Sequence, residues 1–492
     1  MINEKSKSIS IRQKNNHTYI KRAVPPIYMK RTKILATLGP AVNNQQAITA
    51  LIQAGANGLR INLSHGNQEQ WMGLIKQARQ ANDDIPVIAD TKGPELRILN
   101  VAQERELSSA DTLTFSTQPH EDLPYLSQEV QLSVDDELLI DDGNISATVI
   151  DISDDAVTVK ITHGGHFSNK RKITVPNTKD HLPILTKEDK EDLQALKEHI
   201  DGVAVSFTRT AQDIKTVREL VGDECMLIAK IENQEGVDHI DEIIQASDAI
   251  MVARGDLGVE VPLEEVPLIQ KRIIQACIKK AKPCIVATQM LESMIAHNKP
   301  TRAEASDVAN AILDGADCVM LSGETAMGDY PIEAVKTMSN IAQRIETELH
   351  TTLPRVGNGR LKIAHAISNA VYDLSLNLEA DAILTSTASG FTTRMVARFR
   401  PQTVLIGVAH SQHVKRRLQL SWGVTPILFL DADHHGHKTI HQAVRSALQH
   451  ELIKENSLVI ATAGVDTMQH GSTNLIEVHE VTDLLKYHDN KH

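Results

Sequence analysis

Residues 226–260 read MLIAKIENQEGVDHIDEIIQASDAIMVARGDLGVE. Two short runs in this stretch decide the fold. MLIAKI (226–231) and AIMVA (249–253) are β-rich, each ends in polar or small residues, and each is followed by a helical pattern. The same unit recurs on either side, with runs at 33–38, 58–62, 86–90, 202–206, 284–288 and 318–321. Between the first two, Ile48, Leu51 and Ile52 repeat at i, i+3, i+4, as an amphipathic helix requires. Ile269, Ile273, Ile274 and Cys277 repeat that pattern, and so do Val308, Ile312 and Leu313. Alternation alone allows a doubly wound sheet. Eight regular units favour closure into a (β/α)8 TIM barrel.

The spacing breaks once. Runs ending near 90 and 206 lie 206 − 90 = 116 residues apart, whereas the other units take 22 to 35. About 85 residues are inserted, and they differ in kind: β-rich runs at 107–115, 130–140, 146–152, 156–161 and 172–175, with turns at Asp142-Gly143 and Gly164-Gly165. The insert predicts a β-barrel lid domain, 98–173, rising from the C-terminal rim of a barrel built from 31–97 and 174–349. Pro354, Gly357 and Gly359 mark a break. Residues 355–492 then read as a separate α/β domain, with strands expected at 380–384, 404–408, 425–428, 457–461 and 475–479.

Composition bounds the function. The 492 residues carry 51 Lys and Arg against 63 Asp and Glu, a net charge of −12, and only 3% aromatics, which argues against a nucleic-acid binder. No apolar run approaches the roughly 18 residues needed to cross a bilayer. Cys225, Cys277, Cys284 and Cys318 lack CxxC spacing and lie in apolar segments, so they read as reduced core residues of a cytoplasmic protein. Residues 1–33 depart from the balance, with nine Lys and Arg against Glu4 alone. We expect 1–30 to be a basic mobile tail.

Polar residues gather where a TIM barrel places its site, at the C-terminal ends of the strands. Arg60-Ile-Asn62-Leu-Ser64-His65, Asp90-Thr91-Lys92-Gly93-Pro94-Glu95-Leu-Arg97, Lys230-Ile-Glu232, Arg254-Gly255-Asp256, Thr288-Gln289 and Ser322-Gly323-Glu324-Thr325 all stand there. Period 2 puts Lys230 and Glu232 on one strand face. Glu232 and Asp256, on neighbouring strands, can hold one hard divalent cation, with the other positions left to water or substrate oxygens. Arg60 and Lys230 would neutralise a phosphoryl group there. Taken singly, Lys230–Glu232 and Arg254–Asp256 would read as structural ion pairs. Six clusters at successive strand ends make a site the better reading.

TKILATLGP (32–40), LRINLSHG (59–66), DTKGPELR (90–97), AKIENQEGVDHIDEI (229–243), IMVARGDLGVE (250–260), ATQMLESM (287–294), PTRAEASDVANAI (300–312) and MLSGETAMGDYPIEAV (320–335) closely resemble the pyruvate kinase family. The resemblance covers about residues 31–485. It implies transfer of phosphoryl from phosphoenolpyruvate to ADP, giving pyruvate and ATP in the last step of glycolysis. It also implies a homotetramer and dependence on Mg²⁺ (or Mn²⁺) and K⁺. By this resemblance Lys230 stabilises the phosphoryl in flight, and Arg60 meets the transferable phosphate. Glu232 and Asp256 hold the divalent ion. Gly255, Asp256 and Thr288 cradle the substrate carboxylate, with Thr288 also where the enolate is protonated. Asn62, Ser64, Asp90 and Thr91 bind the monovalent cation. His65 and Arg97 match nucleotide-phosphate contacts, and Asn62 is counted with them as nucleotide-binding.

Glu95 bears on the monovalent ion. Family members with Glu at this position need K⁺, and those with Lys carry an internal charge instead. Where the family has Lys-Gly-Val-Asn-Leu-Pro-Gly, this chain reads Arg171-Lys-Ile-Thr-Val-Pro176-Asn177, so Arg171 stands for a nucleotide-contacting lysine. Charge survives that exchange and geometry does not. Thr387-Ala-Ser389-Gly390-Phe-Thr392 resembles the family's effector-phosphate loop, for a sugar phosphate or AMP, although the segment before Gly471-Ser-Thr-Asn474 departs from the usual pattern. Asp433-His434-His435-Gly-His437 reads as an exposed turn rather than a metal site. Two other classes compete: a Mg²⁺-dependent lyase or aldolase acting on pyruvate enolates, which would not need Lys230, Arg97 or the lid, and a catalytically silent metabolite sensor.

Overall fold

The computed structural model describes residues 30–128, 130–141, 143–153, 155–176, 182–349, 362–429, 437–464 and 473–489. The basic tail 1–29, Asp433-His434-His435 and most of the segment before Asn474 lie outside them. Eight parallel strands, Lys33–Leu38, Gly58–Asn62, Val87–Asp90, Gly202–Val205, Met226–Ile231, Ala249–Ala253, Cys284–Ala287 and Cys318–Leu321, close into a barrel in sequence order. The first pairs with both the second and the last. Alternation along each strand divides the apolar residues between two cores. Leu35, Ile88, Ile228, Met251, Ile285 and Met320 fill the interior. Ile34, Leu59, Leu227, Ile250 and Val319 face the surrounding helices.

The helical patterns hold, with one exception. Ile48 and Leu51 are buried on Gln45–Ala54, and Ile269, Ile273, Ile274 and Cys277 on Val266–Lys280. On Arg302–Asp314, Val308 and Ile312 are buried but Leu313 is 52% exposed. It follows Ile312 by one residue, about 100° around the helix, and so leaves the buried stripe. All four cysteines are free and buried.

The insert is a second closed barrel, with strands Leu96–Leu99, Thr112–Ser116, Tyr125–Leu126, Glu137–Ile140, Ile145–Ile152, Ala156–His163 and Lys172–Thr174. Its own core includes Ile98, Phe115, Leu138, Ile140 and Val159. Two expected strands are shorter than their apolar runs. The run at 107–115 is interrupted by a turn at 108–111, where the Asp111 carboxylate accepts the Ser108 N–H at 2.8 Å and Ala110 takes φ 74°. The run at 130–140 pairs only from Glu137, because Asp136 accepts the Ser133 N–H at 2.7 Å and Asp135 takes φ 77°. Asp side chains that cap their own turn compete with the ladder.

The lid joins the barrel through two adjacent strands, Leu96–Leu99 and Lys172–Thr174, with Lys172 opposite Arg97. Gly93 precedes the first (φ +69°), and a Cβ there would lie 2.8 Å from the Phe207 ring. Glycine lets the stem leave the rim at that angle.

The C-terminal sheet has strands Ala382–Thr387, Val404–Ala409, Val424–Leu428, Leu458–Ala463 and Leu475–Glu480, all parallel except the last. It is tied to the bottom of the barrel. Arg400 bonds Asp317 at 3.0 Å, Arg416 meets Asp201 at 3.2 Å, and the buried Lys33 donates to the Val424 carbonyl at 2.7 Å. No helix among the described residues is long and apolar enough to cross a membrane.

Candidate active site

The C-terminal ends of strands two to six bring five charged side chains together. Lys230 is the penultimate residue of the strand Met226–Ile231, and its ammonium lies 3.0 Å from Asp90, 2.8 Å from Glu232 and 2.8 Å from the Ser206 hydroxyl. Arg60 donates from Nε to the other Asp90 oxygen at 2.6 Å and from Nη1 to the Thr37 hydroxyl at 3.1 Å. The second Glu232 oxygen accepts the Phe207 N–H at 2.7 Å. Asp256 pairs with Lys172, which descends from the lid.

Burial opposes charge on each of these groups, so the neighbours decide. For Lys230 burial is outweighed by Asp90, Glu232 and Asp256, which hold the ammonium firmly protonated. For Asp90 burial is outweighed by Arg60 and Lys230, which keep the carboxyl below its usual range. Burial pushes Glu232 up, against Lys230. Asp256 is lowered despite its burial, chiefly by Lys172 and then by Lys230. The inner site thus sets Arg60, Lys172 and Lys230 against Asp90, Glu232 and Asp256, three charges of each sign.

Thr288 stands in the left-handed region, φ +66°, followed by Gln289 at +53°. Its hydroxyl accepts the Gly255 N–H at 2.8 Å. Arg254 braces this strained turn: Nη2 donates to the Thr288 carbonyl at 2.7 Å, and Nη1 is held by Asp307 at 2.8 Å. Asn62 and Asp90 are register partners, and the Asn62 amide oxygen accepts the Ser64 N–H at 3.1 Å. The Thr91 hydroxyl accepts the Ser206 N–H at 3.1 Å. His65 is exposed at the rim.

On the lid stem Glu95 pairs with Arg97, whose Nη1 also donates to the Lys170 carbonyl at 2.7 Å. Arg171 lines the same cavity of about 460 Å³ as Glu95, Arg97, Lys172 and Asp256. Its guanidinium is engaged by lid residues, Ser168 at 2.7 Å and Asp141 at 2.7 Å. Thr387 ends the C-terminal strand Ala382–Thr387, Ser389 and Gly390 form the turn after it, and Thr392 lies on the next helix. Gly390 (φ 80°) starts the helix Phe391–Ala397, and the Thr392 hydroxyl meets that of Thr473 at 2.8 Å.

The donor set fits a hard divalent ion. Glu232 is buried and Asp256 half-buried, Asp256 adds to the upward push on Glu232, and an ammonium already stands at each, Lys230 at Glu232 and Lys172 at Asp256. Among the described residues no three His, Cys, Asp or Glu gather as a metal site, so further ligands would come from substrate or water, as suits Mg²⁺.

The sequence matches the description "Pyruvate kinase, barrel domain" over 29–335 and "Pyruvate kinase, alpha/beta domain" over 365–479. The chain belongs to the pyruvate kinase family. It is 43% identical over 480 residues to a pyruvate kinase of Geobacillus stearothermophilus, covering 93% of this chain and 81% of that one. It is 41% identical over 475 residues to the Clostridium acetobutylicum pyruvate kinase, covering 92% of this chain and all of that one. The fold matches a crystal structure of a Cryptosporidium parvum pyruvate kinase with TM-score 0.82 at 33% identity, over 92% of this chain and 96% of that one. The chain is thus a phosphotransferase of glycolysis, in a family that depends on metal.

Arg254, expected at its strand end, pairs with Asp307 rather than Asp256. Two contributors escaped sequence reading. Ser206 acts through hydrogen bonds to Lys230 and Thr91, distant in sequence, which no local motif announces. Glu260 ends the helix Arg254–Glu260. Burial pushes its carboxyl up to about 7, against Lys172 and with help from Asp256 and Glu232. A carboxyl raised on folding favours the native state while protonated, and that stability is lost as pH rises from about 4.5 to about 7. Glu260→Gln should therefore melt higher than the wild type at pH 8 in EDTA, with the gap closing towards pH 4. Equal melting temperatures at pH 8 would show that the ionised carboxylate costs nothing there.

Proposed function

We propose that Lys230 and Arg60 carry the migrating phosphoryl, and that Gly255, Asp256 and Thr288 hold the carboxylate end of phosphoenolpyruvate and pyruvate. The observation that supports this most is the Lys230 ammonium, buried and pinned between Asp90 and Glu232 at the mouth of the barrel. Phosphoryl transfer needs positioned positive charge more than covalent chemistry. Lys230 is fixed in place before substrate arrives, so little reorganisation accompanies transfer. Arg60 is held by Asp90 through Nε, which leaves Nη2 for a phosphate oxygen.

The Gly255 N–H and the Thr288 hydroxyl, bonded to each other here, would exchange that bond for the substrate carboxylate. Thr288 is then beside the carbon that takes a proton to make pyruvate. A divalent cation, Mg²⁺ or Mn²⁺, at Glu232 and Asp256 supplies Lewis-acid neutralisation of phosphoryl and enolate oxygens. His65, Arg97 and Arg171, with Asn62 at their border, face the nucleotide ADP or ATP from rim and lid. The lid excludes water.

The Thr387, Ser389, Gly390 and Thr392 loop is assigned to an effector phosphate, a sugar phosphate or AMP. The glycine at a helix start, with hydroxyl-bearing residues on either side of it, supports that reading. Assembly as a homotetramer and a cytoplasmic location rest on family membership.

Lys230→Met should lower ATP formation from phosphoenolpyruvate and ADP by on the order of 10³-fold or more. Metal-dependent proton exchange at the pyruvate methyl should survive better, and equal loss of both activities would sink this division of labour.

K⁺ at Asn62, Ser64, Asp90 and Thr91 supplies one more positive charge beside the phosphoryl. Glu95 is already matched by Arg97, so neither residue provides that charge from within. Activity should be low without monovalent cations of the size of K⁺ or NH₄⁺, rise when K⁺ is added, and become partly independent of K⁺ in Glu95→Lys. Full wild-type activity in a buffer lacking both ions would contradict the assignment.

A further inference from the structure

We propose that Lys172 is a lid-borne counter-ion that competes with the divalent cation for Asp256, so that metal entry releases the lid. The inference rests on the reading of Asp256 as a metal ligand and concerns a residue to which that reading gives no part.

Three observations carry it. The Lys172 ammonium is paired with Asp256, across the junction of lid and barrel. Its position is built: the side chain is 14% exposed, and the ammonium stands 5.1 Å from the centre of the Phe207 ring. The backbone is equally fixed, with Lys172 opposite Arg97 in the stem and its carbonyl accepting the Asp141 N–H at 2.9 Å.

Charge completes the argument. Asp90 is matched by Arg60 and Lys230, and Glu232 by Lys230. Without Lys172, Asp256 would be a half-buried carboxylate beside Glu232 with no cation in direct contact and only the more distant charge of Lys230 to offset it. With it, the metal-free site is neutral. A divalent cation and an ammonium cannot both sit against one carboxylate in a half-buried site without strong repulsion. Binding the metal therefore expels Lys172 from Asp256 and cuts an ion pair that fastens the lid to the rim.

The test is direct Mn²⁺ binding to the full chain without substrates, read from the electron paramagnetic resonance of free Mn²⁺. Lys172→Met and Lys172→Gln should each bind Mn²⁺ more tightly than wild type, by about tenfold, the least that a nearby charge commonly imposes on a proton. Lys172→Arg should stay close to wild type. Arg171→Met, which removes the same charge one residue away without touching Asp256, should also stay close. Amide exchange in residues 98–170 should quicken on adding Mn²⁺ to the wild type. In Lys172→Met it should be quick before any is added.

Unchanged Mn²⁺ affinity in both neutral variants would overturn the proposal. So would an equal gain from Arg171→Met, which would reveal a general field rather than competition. Asp256→Asn should weaken Mn²⁺ binding, and wild-type binding by that variant would instead overturn the metal assignment beneath the inference.

Discussion

The ammonium of Lys230 is buried, and it lies 3.0 Å from Asp90, 2.8 Å from Glu232 and 2.8 Å from Ser206 Oγ. A charge taken that far from water is tolerable only when matched in sign and geometry. Its partners come from other strands. Asp90 ends the third, Ser206 follows the fourth, and Glu232 follows Lys230 itself by one period of two. Parallel register across the closed barrel keeps those strand ends level, and Asn62 opposite Asp90 extends the same row. The barrel is the device that holds several buried charges close enough to cancel while leaving their outer faces for substrate.

The lid follows from the same constraint. Its stem leaves at Gly93 and returns at Lys172, so two short strands carry Glu95, Arg97 and Lys172 over the rim. Glu95, just before the strand Leu96–Leu99, pairs with Arg97 within it, and Lys172 stands opposite Arg97. Arg171, one residue earlier, points its guanidinium to Asp141 and Ser168 of the lid instead. A one-residue difference therefore separates a side chain that reaches the barrel from one that braces the lid. A lid with its own core, from Ile98 to Phe167, can swing on such a stem without unpacking.

Much of this was legible in the sequence, for definite reasons. Barrel strands are short apolar runs at even spacing, and six of them, those ending at 38, 62, 90, 231, 253 and 321, end where their runs end. In the lid, the runs near 107 and 130 overreached because Asp111 and Asp136 cap turns inside them, a choice the tertiary fold makes. Arg60, Asp90, Lys230, Glu232 and Asp256 were visible because polar residues at strand ends break an apolar pattern. Ser206, Glu260 and Lys172 were not visible as members of the site. Ser206 reads as an ordinary strand end, and Arg254, though placed at the rim by sequence, takes a partner, Asp307, that lies 53 residues away. Lys172 sits on a strand where a lysine pointing to solvent would look the same.

The account stands or falls on whether the paired charges at the barrel mouth move a phosphoryl group between an enol oxygen and a nucleotide. The most direct measurement is a time course with phosphoenolpyruvate, ADP, Mg²⁺ and K⁺. Pyruvate is read through lactate dehydrogenase, and ATP through a separate coupled assay. The account predicts equal amounts of the two products, and neither when ADP is omitted. Pyruvate released without ATP would mean that water, not the nucleotide, receives the phosphoryl. No pyruvate at all would contradict the catalytic reading of the site.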